Sequence, residues 1–243
     1  REKTRLLQDI GKKVVNNLMA NPRSGEAIHH SARFVKSTIE LLLSEPESSM
    51  LLMEMTAEST YLLAHSISTS IFCLLIGREL HGDDRSYLYT IGHGGLLLDI
   101  GMTRIDKAIL FKTGSLNDEE WQEVRAHTER GYRLIKEHRL PEEVKEIVLK
   151  HHERLDGSGY PMGLNSEEIP THVRIATVAD VYDALTTDRG YRTAQAHLRA
   201  LRTMSKQPEL FDADVFDALL RVVLKEDALI EKFSFKGKID TAD

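Results

Sequence analysis

Apolar residues in this chain recur at three- and four-residue intervals almost from end to end, and runs of strict alternation bounded by turns are scarce. That period belongs to one face of a helix and not to a pleated strand, so an all-α fold is expected. The spacing predicts helices over about Lys3 to Met19, Gly25 to Leu43, Ser48 to Leu80 with a break, and Asp84 to Ile100. Asn21-Pro22-Arg23-Ser24-Gly25 makes the first turn. Asn117 lies three residues ahead of Glu120, the signature of a capped helix start, and that helix runs to about Glu137. Pro141 and Pro170 suit a first helical position and open helices over Glu142 to His152 and Thr171 to Thr187. A last helix covers Ala213 to Leu224. Glu153 to Ile169 holds too many Gly and Pro residues to be regular, and a loop of that length invites a functional explanation.

Composition narrows the class. With 243 residues, 41% hydrophobic and 29% charged, the chain can bury a sizeable core. One cysteine, Cys73, excludes an internal disulfide, and a reducing cytoplasm is the expected location. The most apolar stretch, Tyr61 to Gly77, is interrupted by His65 and several hydroxyl residues and falls short of the roughly 20 residues of a membrane span. The chain begins Arg1-Glu2-Lys3 and reads as a fragment without a visible signal peptide. A net charge of -6 argues against DNA or another broad polyanion as partner, while leaving room for a small anion held by local cations.

The chemistry is concentrated in few places. Residues 151 to 161 read His-His-Glu-Arg-Leu-Asp-Gly-Ser-Gly-Tyr-Pro, two imidazoles at a helix end followed by a glycine-broken loop. Adjacent helix positions diverge by about 100°, so both rings serve one site only near such an end. Imidazole is the commonest metal ligand, which makes a metal site the first hypothesis. His65 and Asp180 interrupt apolar helix faces, and Asp99 closes an apolar run; each needs a partner if buried. Taken singly, a satisfied core histidine, a helix cap or an exposed mid-helix His127 would explain them; together they point to one site. His29 and His30 lie in a polar stretch and read as surface residues. Residues 1 to 50 therefore form a regulatory or connecting helical segment, and residues 51 to 243 the metal-binding domain.

These residues resemble the HD-GYP family of metal-dependent phosphohydrolases. The resemblance covers about residues 60 to 220 and rests on His65-Ser66, Leu98-Asp99-Ile100-Gly101, the 109 to 116 segment, His127 with Gly131, the 151 to 161 run and the segment from Asp180 to Arg192. It implies a helical bundle of the HD-domain phosphohydrolase type, with an N-terminal helical extension, around two divalent ions, iron or manganese, and hydrolysis of cyclic di-GMP. One ion would be held by His127, His151 and His152 with Asp99 bridging. The other would use His65, Asp180 and the same Asp99. Asp99 and Tyr160 are the implied catalytic residues, and Gly159, Tyr160, Arg189, Arg192 and Lys112 the implied substrate contacts. Arginine suits bidentate phosphate contacts, and the Gly159-Tyr160-Pro161 turn is expected to present an amide and a phenol.

The sequence departs from that family where its name begins. The His-Asp pair is Leu98-Asp99, and the lysine expected three residues on is Met102. Leucine has no donor atom, so the second ion keeps His65, Asp99 and Asp180 and is expected to bind more weakly. His93 is five residues before Leu98, about 140° away around a helix, and is not expected to substitute. Tyr61 stands where a carboxylate would be needed for a third ion. Two readings follow: a cyclic di-GMP phosphodiesterase with a weakened second metal position, or a non-catalytic module that binds cyclic di-GMP, its linear product or a signalling protein on the same metal-bound fold. A homodimer is a further expectation.

Overall fold

The computed structural model describes residues 2–45, 61–186, 194–224, 230 and 233–235, and every regular element within them is helical. α1 (Glu2–Ala20) and α2 (Gly25–Ser44) pack on one another across the predicted turn, where the Ser24 hydroxyl accepts the Ala27 amide at 3.3 Å. α3 (Tyr61–His81) is the axis of the fold. From residue 64 to residue 77 it is buried on all sides, because its apolar residues are interleaved with Ser and Thr and leave no polar face to turn outward. α4 (Arg85–Leu97), started by the Asp84 carboxylate accepting two amides, lies along α3 and ends in a 3-10 turn over Ile100–Arg104.

Short α5 (Lys107–Leu110) and α6 (Asp118–Arg125) lead to α7 (His127–Ile135), which packs against the 3-10 turn, and then to α8 (Glu142–Lys150), wedged between α4 and α7. After the 151 to 170 loop come α9 (Thr171–Thr186) against α3, α10 (Ala194–Met204), a 3-10 turn at Pro208–Leu210 and α11 (Ala213–Val223). Leu7, Val15, Phe34 and Ile39 of α1 and α2 share one apolar core with Phe72, Leu98, Tyr182 and Phe216, so the first helices are packed into the bundle. No helix of the described residues is long and apolar enough to cross a membrane.

The all-α architecture and most helix limits match the sequence reading within three residues. The differences have physical causes. The helix expected from Asn117 to Glu137 begins with the predicted capping box but breaks at Ala126 into α6 and α7. The helix expected to reach Ile100 stops at Leu97, and Asp99 takes φ -95, ψ 11, outside the helical well. Pro141 sits one position earlier than expected, as an extended N-cap at φ -50, ψ 143, because proline at that point needs no amide partner. α5 and α10 were not expected. The first part of the helix expected from Ser48, like the segment holding Arg189 and Arg192, lies outside the described residues.

Candidate metal centre

Asp99, His127, His151 and His152 each sit at a discontinuity of the helices. The break at Ala126 makes His127 the first residue of α7, and its Nδ1 donates to the Val124 carbonyl at 2.7 Å. His151 is the C-cap of α8, where its Nδ1 reaches the Ile147 and Val148 carbonyls at 3.1 and 3.2 Å. Both Nδ1 atoms are thus turned to carbonyls, and the two Nε2 atoms face each other at 3.3 Å. Asp99 Oδ1 is 3.3 Å from His127 Nε2 and 3.8 Å from His151 Nε2. The ring of His152 completes the group, 4.2 Å from that of His151 and 5.1 Å from that of His127.

The donor atoms of Asp99, His127, His151 and His152 all lie within 4.8 Å of one another. Donors bound to one ion at ~2.1 Å stand about 3.0–3.4 Å apart, so the measured spacing fits a divalent cation. Burial and the neighbouring imidazoles hold both loop histidines neutral. His151 is pushed down to about 4 by burial and His127, and His152 is well below the ordinary value through burial and His151.

The other half is built differently. His65 Nε2, from the middle of α3, is 3.0 Å from Asp180 Oδ1 and 3.6 Å from Asp99 Oδ2, while its Nδ1 is 2.8 Å from Asp183 Oδ2. Burial alone would lower the His65 pKa, but Asp180 and Asp183 outweigh it and hold the ring well above its usual value. Asp180 is in turn held well below the carboxylate range against its own burial, by His65 first and then His152. Its second oxygen is 3.7 Å from His152 Nδ1, so Asp180 as well as Asp99 faces both halves. Three protein donors, His65, Asp99 and Asp180, converge here. Leu98 is fully buried in the main core, and Met102 is half-buried. His93 is removed from the centre, buried between the Ser31 hydroxyl at 2.8 Å and the Tyr89 phenol at 3.1 Å.

The 153 to 169 loop is folded back onto the site. Glu153, 1% exposed, accepts the Met162 amide at 2.7 Å and the Leu164 amide at 3.0 Å. Gly159 passes so close to the chain before it that a Cβ would stand 2.4 Å from the Arg154 nitrogen and 2.4 Å from the Glu153 Cα. The Tyr160 ring then stacks on His152, with centroids 4.7 Å apart, and the Arg125 guanidinium lies 5.2 Å from its centre. Burial, Asp180 and Asp99 raise the phenol pKa, so Tyr160 keeps its proton and can donate a hydrogen bond. One expectation is corrected: the Tyr160 amide is not presented outward but donates to the His152 carbonyl at 3.2 Å, because the tight Gly159 turn aims it there. Lys112 is exposed and paired with Glu120 at 2.6 Å.

The structure thus brings together His65, Asp99, His127, His151, His152, Asp180 and Tyr160. Three contributors escaped the sequence reading. Asp183 follows Asp180 by three residues and so shares its helix face, a spacing that was legible. Glu153 adjoins the His pair but reads as an ordinary loop acid, and Arg125 as a surface cation.

Comparison with known proteins places this geometry. The model of the HD domain family matches residues 48–215. A cyclic di-GMP phosphodiesterase of Pseudomonas aeruginosa is 34% identical over 221 residues, covering 90% of this chain and 53% of that protein. A 3'3'-cGAMP-specific phosphodiesterase of Vibrio cholerae is 34% identical over 168 residues, 69% of this chain and 36% of that protein. The chain thus spans about half or less of the length of these curated relatives. An HDGYP-type protein from Bdellovibrio bacteriovorus shares the fold, with a TM-score of 0.75 at 17% identity, over 89% of this chain and 70% of that one. The family match covers well over half of the sequence and includes the whole cluster from His65 to Asp183: the chain belongs to the HD domain family.

Proposed function

We propose that this chain is a metal-dependent phosphodiesterase that hydrolyses cyclic di-GMP, with one complete and one three-donor metal position. The observation that carries the reading is the pair of imidazoles of His127 and His151, whose Nε2 atoms face at 3.3 Å beside the Asp99 carboxylate. The curated relatives named as cyclic dinucleotide phosphodiesterases support the substrate class. His127, His151, His152 and Asp99 would hold the first ion, and His65, Asp99 and Asp180 the second. Iron and manganese suit this imidazole and carboxylate set, and such ions supply Lewis acidity toward water and a phosphodiester oxygen. The protein keeps its donors ready: burial suppresses protonation of His151 and His152, and backbone carbonyls fix the tautomers of His127 and His151. Tyr160 keeps its proton for a phosphate oxygen, while Arg189 and Arg192 are assigned to the ligand phosphates. Residues 1 to 50 serve as the regulatory or connecting segment and residues 51 to 243 as the metal-binding domain.

A second reading, a non-catalytic module that binds the dinucleotide, is favoured by Leu98 and Met102, which remove a donor and a cation from the second position. Hydrolysis of cyclic di-GMP by protein loaded with iron or manganese, run beside metal analysis, separates them. The enzyme reading expects product from the wild type and its loss in His151→Ala. It also expects Leu98→His with Met102→Lys to raise occupancy of the second position. Absence of turnover in the wild type under both metals, with turnover gained in the double variant, establishes the second reading.

A further inference from the structure

Several cations flank the metal-facing residues in sequence, and their fates differ: Lys150, next to His151, is paired with Glu146 at 2.6 Å. Arg154, which follows His152 by two residues, is turned inward: it donates to the Glu153 carbonyl at 3.1 Å and lies over the Phe211 ring. Arg130, three residues beyond His127, is paired with Glu123 at 2.7 Å. Arg125, two residues before His127 at the end of α6, is exposed and has no carboxylate partner among the described residues. Its guanidinium lies over Tyr160, whose ring also stacks on His152. The ion pair between Lys112 and Glu120 leaves that lysine engaged, and Met102 supplies no charge.

Resting on the phosphodiesterase reading above, we infer that Arg125 binds the second, non-reacting phosphate of the cyclic dinucleotide and so selects substrates that carry two phosphodiesters. The scissile phosphate has to reach the imidazole and carboxylate donors. Arg125 is one aromatic ring removed from them, on the ring that it shares with His152. A cyclic dinucleotide carries its two phosphates on opposite sides of the macrocycle, so one at the metals leaves the other directed outward. Contact with the Tyr160 ring holds the guanidinium beside the site, and its planar fork of N–H donors suits a phosphate better than a lysine does.

The test compares wild type, Arg125→Gln and Arg125→Lys, loaded with manganese, on cyclic di-GMP and on bis(p-nitrophenyl) phosphate, which has a single phosphodiester. Affinity is read as KM where the protein turns over and by equilibrium titration where it does not. The expected result for Arg125→Gln is a loss of affinity for the dinucleotide of about tenfold or more, with kcat, metal content and melting temperature unchanged. Arg125→Lys falls between, and kcat/KM for the one-phosphate substrate stays within about twofold. Unchanged dinucleotide affinity, or an equal loss on both substrates, overturns the inference while leaving the phosphodiesterase reading standing. A wild type that binds the dinucleotide without turnover removes catalysis and leaves the affinity comparison decisive. One that does not bind it at all removes both.

Discussion

At the scale of single residues the site depends on which nitrogen of each ring is already occupied. His127 spends Nδ1 on a carbonyl at the end of the preceding helix and His151 on carbonyls of its own, whereas His65 lies within α3 and spends it on Asp183. Asp183 therefore does for His65 what the chain itself does for the other two: it fixes the tautomer and raises the basicity of Nε2. Asp183→Ala is expected to weaken the three-donor position about 10- to 100-fold in metal affinity and to leave the His127, His151, His152 position intact. Metal titration with two resolved affinities checks this. Equal loss at both positions would show a general collapse instead, and the melting temperature separates the cases, since losing the Asp183 contact costs only about 1–3 kcal/mol.

At the scale of elements the decisive contact joins the 3-10 turn after Asp99 to the first turn of α7. A Cβ on Gly101 would stand 1.9 Å from the His127 carbonyl oxygen and 2.6 Å from the Gly131 nitrogen. Both neighbours are backbone, so neither can swing aside, and the two elements would have to separate, carrying Asp99 away from His127. Gly101→Ala is predicted to destabilise the fold by about 3 kcal/mol, at the upper end for a single substitution, and to reduce metal content even in molecules that remain folded. Chemical denaturation and metal analysis of the refolded fraction measure the two effects, and a stable variant with full metal content would refute the argument. This contact also marks the limit of sequence reading. Helix existence, the Asn117 capping box and the His pair at the end of α8 were legible, because each follows from local period or local chemistry. The break at Ala126 was not: a one-residue interruption leaves the three- and four-residue spacing of Val124, Thr128 and Gly131 undisturbed. The short amphipathic α10, anchored by Leu198, Leu201 and Met204, offered only about two turns of apolar pattern. Glu153 escaped for a related reason, since its partners Met162 and Leu164 are distant in sequence and backbone donors leave no signature.

For the whole molecule, the buried histidines tie stability to pH with opposite signs. His93 is pushed down to about 3 by burial and Lys36, and His151 to about 4, with His152 in the same direction; in the unfolded chain each would titrate near 6.5. Between pH 6.5 and about 4 the unfolded state therefore takes up protons that the folded state refuses, and stability falls as the pH falls. His65 behaves oppositely, because its folded pKa is raised: its contribution is complete below about 6.5 and is lost only as the pH rises through the raised value, outside that window. Asp180, held low, loses its contribution only below the ordinary carboxylate value of 3.8. The acid limb thus belongs to His93, His151 and His152, with His172, also held low by burial, adding in the same direction. At roughly 1.4 kcal/mol per group for each pH unit below 6.5, the metal-free protein should lose on the order of 10 °C in melting temperature within one pH unit at this chain length. Melts in chelator across pH 8 to 5 measure it, and a flat or rising limb below pH 6.5 would contradict the burial of neutral imidazoles. Saturating metal should lift the whole curve, because it binds the folded donors and not the unfolded chain. At His151 the lift should hold down to about pH 4, where protons begin to compete for its nitrogen, so the difference between loaded and chelated melts reports the metal position itself.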